Sequence, residues 1–211
     1  MVQVRPLTPD ALADAVAERI AGLPAPEGGR LRVAVDGAPA AHPAALADAV
    51  ADRLRLLGRP VCRIGAEDFL RPASLRLEYG HHDPDSYYDG WLDSNALFRE
   101  VFDPLEPGGS GRVLPALRDS RADRAVRSER VPVPDGGVLV LDGPLLLGRW
   151  FPLDLTVHLQ LSAAALARRT PAEQQWTLPA FARYEGEARP ADTADLVVRS
   201  DDPRRPALVV T

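Results

Sequence analysis

The chain has 211 residues, enough for one compact domain of roughly 100–200 residues or for one domain with an extension. With 45% hydrophobic and 26% charged residues it has an ordinary globular balance, and a net charge of −5 argues against a nucleic-acid partner. Cys62 is the only cysteine and all 25 cations are Arg, which excludes an internal disulfide, a Cys-based zinc cluster and any mechanism that needs lysine.

Thr8–Leu23 predicts an amphipathic helix: Thr8 caps it, Pro9 opens it, and Leu12, Val16 and Ile20 share one face. Residues 24–29, with two prolines and two glycines, break the chain. Leu31–Val35 reads as a buried strand meeting a turn at Asp36-Gly37, and Ala44–Leu57 as a helix closed by Gly58. Val61–Ile64 is a second strand. Arg71–Gly111 is polar and aromatic, with Tyr79, Tyr87, Tyr88 and Trp91, and a short helix is expected at 96–101. Arg112–Arg130 is rich in arginine and shows no clear period. Strands at Val138–Leu141, Leu155–Leu161 and Leu196–Val198 and a helix at Ala163–Arg169 complete the pattern. Strands alternating with helices predict an α/β domain with a mainly parallel sheet flanked by helices. Residues 1–29 are expected to form an N-terminal helical extension, and residues 30–211 the domain. No apolar run approaches the roughly 20 residues of a membrane span. No signal-peptide pattern opens the chain either, so a cytoplasmic protein without a membrane partner is expected.

A strand, a glycine turn and a helix make the frame of a phosphate-binding loop, whose working motif is G-x-x-x-x-G-K-[ST]. The eight positions here run Gly37-Ala38-Pro39-Ala40-Ala41-His42-Pro43-Ala44. The first glycine is present after Asp36. His42 brings a Cβ to a backbone position that needs positive φ, Pro43 removes both a cation and an N–H donor, and Ala44 cannot ligate Mg²⁺. These residues do not make a nucleotide site by motif.

Further landmarks follow in order. They are Val33-Ala34-Val35-Asp36-Gly37, Ala66-Glu67-Asp68-Phe69-Leu70-Arg71-Pro72 and Gly80-His81-His82-Asp83-Pro84-Asp85-Ser86-Tyr87-Tyr88. Asp103-Pro104-Leu105, Val138-Leu139-Val140-Leu141-Asp142-Gly143, Tyr184-Glu185, Ala194-Asp195-Leu196-Val197-Val198 and Asp201-Asp202-Pro203 come after them. The series resembles the uridine kinase family, in particular its actinobacterial uridine-kinase-like branch, from about Arg30 to the C-terminus. The resemblance implies a three-layer P-loop kinase fold and transfer of the γ-phosphoryl of ATP to a pyrimidine nucleoside. It also implies a base at Glu67, with Asp68 adjacent, and the acid of the second nucleotide motif at Asp142. The sugar-binding segment falls on His82, Asp83, Asp85 and Tyr87, with His82 where the family has its ribose-binding acid. Lid arginines fall on Arg168 and Arg169, and the family's habit of self-association leaves a homo-oligomer open, with no diagnostic interface in the sequence.

Three functions remain open on this reading. The first is a uridine-kinase-like pseudo-kinase with no cofactor and no metal, binding a nucleoside-like small molecule or a partner. The second is a working kinase using ATP and Mg²⁺, in which Arg32, Arg63, Arg168 or Arg169 replaces the lysine. The third is different chemistry in the same cleft, reusing Glu67, His82 and Asp142. His81-His82-Asp83 reads as a solvent-facing loop rather than a metal site, and the nearby Tyr and Trp residues as packing.

Overall fold

A computed structural model of the protein describes residues 3–24 and 29–210. One sheet holds β1 (Gln3–Pro6), β2 (Leu31–Gly37), β3 (Val61–Gly65), β4 (Val138–Gly143), β5 (Leu155–Gln160), β6 (Leu196–Arg199) and β7 (Ala207–Val210). The strand order is β1-β7-β6-β5-β2-β4-β3. The run from β6 to β3 is parallel throughout, while β7 pairs antiparallel with both β6 and β1. The central strands β2 and β4 are buried almost along their whole length. This explains their unbroken apolar runs, because a parallel sheet is covered on both faces.

One face is covered by α1 (Pro9–Ala21) and α2 (Pro43–Leu56). Leu12, Val16 and Ile20 of α1 share a core with Leu46, Val50 and Leu54 of α2 and with Val33, Val140 and Val157 from the sheet. Arg53 of α2 ties the two helices at their surface through Asp10 and Asp14, each at 2.7 Å. The other face holds Ala34, Leu139 and Leu141 against Phe69, Leu97 and Phe102. Near the carboxyl ends of the strands lie α3 (Pro84–Gly90), α4 (Ala163–Arg169) and α5 (Leu178–Glu187).

Register fixes where the acids stand. Asp36 pairs with His158 on one side and Gly143 on the other, while Asp142 pairs with Val35. Neighbours in a ladder share a face and successive residues alternate, so Asp36 and His158 face one layer and Asp142 the opposite one. All three sit at the carboxyl ends of adjacent parallel strands, where open α/β sheets bind ligands.

The strand and helix positions expected for the parallel core agree with the structure to within a residue or two. Thr8 caps α1 by accepting the Ala11 N–H at 3.2 Å. The expected break at 24–29 falls mostly at 25–28, outside the described residues. Periodicity missed β1, an exposed edge strand, and β7, a four-residue strand between β1 and β6 that is only partly buried. Residues 3–21 therefore bring a strand as well as a helix, and both join the main sheet and core. The arginine-rich stretch forms two small ladders, Arg112–Val113 with Val131–Pro132 and Arg118–Asp119 with Arg124–Ala125. The polar and aromatic stretch contains α3, directly after the solvent-facing turn at His81-His82, and the short helix expected at 96–101 is an α-turn, Ser94–Leu97, running into a π-turn, Phe98–Phe102.

Ile20 has no exposed surface. Ile20→Ala should lower unfolding stability by about 2–4 kcal/mol in a urea titration. A loss below about 0.5 kcal/mol would show that α1 is an accessory and not part of the core.

Candidate functional site

The loop after β2 runs from Gly37 through a 3-10 turn into α2. A Cβ on Gly37 would come within 2.9 Å of the Leu159 Cβ, so close approach to β5 requires glycine there. Pro39–Ala41 then form a 3-10 turn in which the Ala41 N–H donates to the Ala38 carbonyl (2.8 Å) and the His42 N–H to the Pro39 carbonyl (3.0 Å). His42 stands at φ 58°, ψ 52° and Pro43 opens α2. The expected strain is present: a β-carbon occupies a left-handed position, at a cost of about 1–2 kcal/mol. Ala41 and His42 turn their N–H groups inward on the loop, and Pro39 and Pro43 have none. Half of the eight positions thus offer an anion nothing.

Asp142 ends β4 with 5% of its surface exposed. Arg63 of β3 reaches it, with Nη2 3.0 Å from Oδ1, and its Nε lies 2.5 Å from Asp48 Oδ1 on α2. Nη2 also donates to the Ala44 carbonyl at 3.3 Å. The guanidinium therefore lies between the strand-end acid and the helix position where the motif requires a Mg²⁺-binding hydroxyl. Neither Arg63 Nε nor Asp142 Oδ1 has an aligned hydrogen-bond partner among the described residues, so charge rather than direction holds the contact. Burial pushes the Asp142 carboxyl up to about 6, against the pull of Arg63. Among the described residues no group of three or more His, Cys, Asp or Glu side chains is placed to hold a metal ion. With the hydroxyl replaced by Ala44 and the acid already paired to a cation, this donor set does not fit a Mg²⁺–nucleotide.

On the opposite face Asp36 is fully buried and fully engaged. Its Oδ1 accepts the Leu146 N–H (2.8 Å), and its Oδ2 accepts the Tyr184 O–H (3.0 Å) and the His158 Nδ1–H (2.7 Å). The Tyr184 oxygen in turn accepts the Leu147 N–H at 2.9 Å. Burial lowers the His158 pKa, but Asp36 and then Glu185, 3.7 Å from Nε2, more than offset that and hold it up to about 9. These two carboxylates favour the protonated imidazole.

A cleft of about 560 Å³ opens above these strand ends, a size that suits a small molecule. Pro39, Ala40 and His42 form part of its lining, with Tyr87, Trp91, Trp176 and Phe181 as an aromatic wall. Ring centroids within that wall are 5.1 Å (Tyr87–Trp91) and 5.6 Å (Tyr87–Trp176 and Trp91–Trp176) apart. Burial pushes the Tyr87 hydroxyl up to about 12. Polar groups in the cleft include Glu67, Arg149, Arg169 and Gln174.

The cleft brings together Glu67, His42, Tyr87 and Arg169 from the residues singled out in the sequence. Asp68, Asp142, Asp36 and Gly37 do not line it. Burial, and then the charge of Glu67, holds the Asp68 carboxyl above the ordinary range. Asp83 caps α3 by accepting the Ser86 N–H at 2.5 Å, and Asp85 is exposed and pairs with Arg183 at 3.2 Å. His82 is exposed in a turn, its ring 5.5 Å from Trp176, and Arg168 is exposed at the end of α4. Arg169 donates to the Ser200 carbonyl at 2.7 Å. Arg32 is taken up by Asp154 and Glu106. Sequence reasoning passed over Arg149, Trp176, Phe181 and His158. The signal for His158 was an ionisable residue inside an apolar strand. For Phe181 and Tyr184 it was their helical spacing after Pro179.

No protein-family model matches the sequence, and no curated protein matches it. Solved structures do. A protein described as a possible uridine kinase from Bacillus stearothermophilus aligns with a TM-score of 0.71 at 21% identity, over 88% of this chain and 96% of that one. A protein described as a fructose transport system kinase from Silicibacter sp. TM1040 aligns at 0.59 and 24% identity, over 89% and 95%. D-glycerate 3-kinase from Cryptococcus neoformans aligns at 0.50 and 16% identity, over 86% and 79%. The chain has the fold of the uridine-kinase-like P-loop kinases, and at these identities the fold is what is shared.

Two titrations follow from the buried ion pairs. The His158 pKa is about 9 in the folded protein and 6.5 without its neighbours, so its contribution is complete below pH 6.5 and is lost as pH rises through 9. The melting temperature should fall across that window, and more steeply than in His158→Gln; parallel profiles would contradict the assignment. Asp142 acts in the opposite sense, because its raised pKa penalises folding once pH passes from 3.8 through 6. Asp142→Asn should therefore melt about 2–4 °C higher at pH 7.5, roughly 1 kcal/mol, and unchanged at pH 4. A lower melting temperature at pH 7.5 would mean that the pairing with Arg63 outweighs burial.

Proposed function

We propose that this chain is a uridine-kinase-like pseudo-kinase, which binds a small molecule in its cleft and does not transfer phosphoryl groups from ATP. The observation that carries this reading is the position of Arg63, an internal cation between Asp142 and Ala44. A Mg²⁺ ion would have to displace a guanidinium already paired with Asp142 and Asp48, and would gain no hydroxyl from α2. The 3-10 turn at Pro39–Ala41 supports the same conclusion, since it directs N–H groups into the loop that phosphates would need. Within this reading His42, Pro39 and Ala40 are part of the cleft lining, Glu67 supplies its one carboxylate, and the aromatic residues supply its apolar wall.

A working nucleoside kinase is the second reading. It is favoured by Glu67 and Arg169 lining the same cleft, where a base and a phosphate-binding cation would be wanted. It is weakened by the engagement of Arg63 and Arg32 elsewhere. A different chemistry built on Glu67, His82 and Asp142 has less support, because only Glu67 of the three lines the cleft.

Calorimetric titration of ATP, with and without Mg²⁺, should give no binding heat at millimolar nucleotide. Micromolar Mg²⁺-dependent binding would overturn the proposal. The combined variant Arg63→Ala, His42→Gly, Pro43→Lys, Ala44→Ser should gain Mg²⁺–ATP binding, and the loop triple variant that keeps Arg63 should gain less. Equal gains in the two variants would show that Arg63 does not exclude the metal.

A further inference from the structure

The polar groups of the cleft are unequally matched. Arg149 lines it half-buried, with Nε donating to the Leu145 carbonyl and Nη2 to the Tyr88 carbonyl, both at 2.6 Å. No carboxylate among the described residues lies within ion-pair distance of it. Burial accordingly pulls its pKa below the ordinary arginine value, and the charges that oppose this act from a distance. Arg169 also lines the cleft, held by the Ser200 carbonyl and by no acid among the described residues. Trp91 adds a buried indole N–H with no hydrogen-bond partner. Against these donors stands one carboxylate, that of Glu67.

A buried cation without a counter-ion and a buried donor without an acceptor both destabilise the empty site. A ligand carrying an anionic acceptor relieves the first. The rings of Tyr87, Trp91 and Trp176 offer edges and faces to a flat apolar body. We infer that the cleft binds a planar aromatic monocarboxylate, its ring against the Tyr87–Trp91–Trp176 wall and its carboxylate drawn to the unpaired guanidinium of Arg149. The inference rests on the reading of the cleft as a ligand site without phosphoryl transfer. A neutral nucleoside would bury Arg149 further and bring it no counter-charge. A phosphate monoester fits less well than a carboxylate, because Arg149 already holds two carbonyls and has one edge left for a planar acceptor, and the neighbouring loop adds few N–H groups.

The test is calorimetry on the full chain with 2-naphthoate, its neutral isostere 2-naphthamide, and 2-naphthyl phosphate. The naphthoate should bind at least tenfold tighter than the amide and tighter than the phosphate. Arg149→Gln should lose at least tenfold for the naphthoate and stay within twofold for the amide, a split that a merely structural role for Arg149 would not produce. Arg149→Lys keeps the charge but not the planar edge, and should cost the naphthoate about threefold; it serves as well if Arg149→Gln does not fold. Equal binding of naphthoate and naphthamide, tighter binding of the phosphate, no naphthoate binding, or unchanged affinity in the variants would each overturn the inference. Such results leave the pseudo-kinase reading standing, which falls only if ATP binds with Mg²⁺.

Discussion

The buried carboxylate of Asp36 is the contact on which the ligand end of this fold depends. It gathers a backbone N–H from the segment after β4, an imidazole from β5 and a phenol from α5. Such a group is expensive to bury, by several kcal/mol per ion, and persists only where its partners satisfy it. Here each partner comes from a different segment, so satisfying Asp36 also fixes where those segments stand. The Leu146 and Leu147 N–H groups are both held, one by Asp36 and one by Tyr184. Between these bonds and Pro144, Leu145 adopts φ 60°, a left-handed conformation that a branched side chain takes only when its surroundings impose it. The carbonyl of that same Leu145 then holds Arg149. A carboxylate at the floor of the sheet thus sets the position of a cation in the cleft wall.

The alternation of a strand separates two acids that are close in the ladder. Asp36 turns to the α5 side and is closed by a histidine; Asp142 turns to the α2 side and is closed by an arginine. The two closures differ in kind. Around Asp36 every oxygen is matched by an aligned donor. Around Asp142 the charges lie at ion-pair distance without aligned bonds, and burial still raises the carboxyl to about 6. The first arrangement is a scaffold. The second is a buried acid whose nearest counter-charge, Arg63, belongs to the chain itself.

The parallel core was legible in the sequence because it is buried on both faces: Leu31–Val35 and Val138–Leu141 leave an apolar signature that edge strands do not. Gln3–Pro6 is an exposed edge strand of mixed polarity, and Ala207–Val210, though apolar throughout, is only four residues long, too short for periodicity to separate strand from loop. The strand–turn–helix junction at Gly37–Ala44 was legible, since glycine and proline act locally. The destination of Arg63 was not, because a charged residue inside a strand says which face it uses only once the register is known. The aromatic wall was half legible. Tyr87 and Trp91 stood out by composition, whereas Trp176 and Phe181 come from a segment almost ninety residues away and meet them only through the fold.

Where a phosphate loop ordinarily concentrates positive potential at one helix start, this protein places its cations around that start instead. The helix opening is alanine and proline, one arginine beneath it is consumed by two aspartates, and two arginines without acid partners among the described residues line the cleft. The field in the cleft is therefore still positive on balance, but it originates from planar guanidinium groups beside aromatic rings rather than from a ring of backbone N–H groups. Backbone nests suit the many oxygens of a polyphosphate. A guanidinium edge beside an indole suits one flat anion on a flat body. The cleft carries more cationic than anionic side chains, and the planar geometry of those cations sets which anions would suit it.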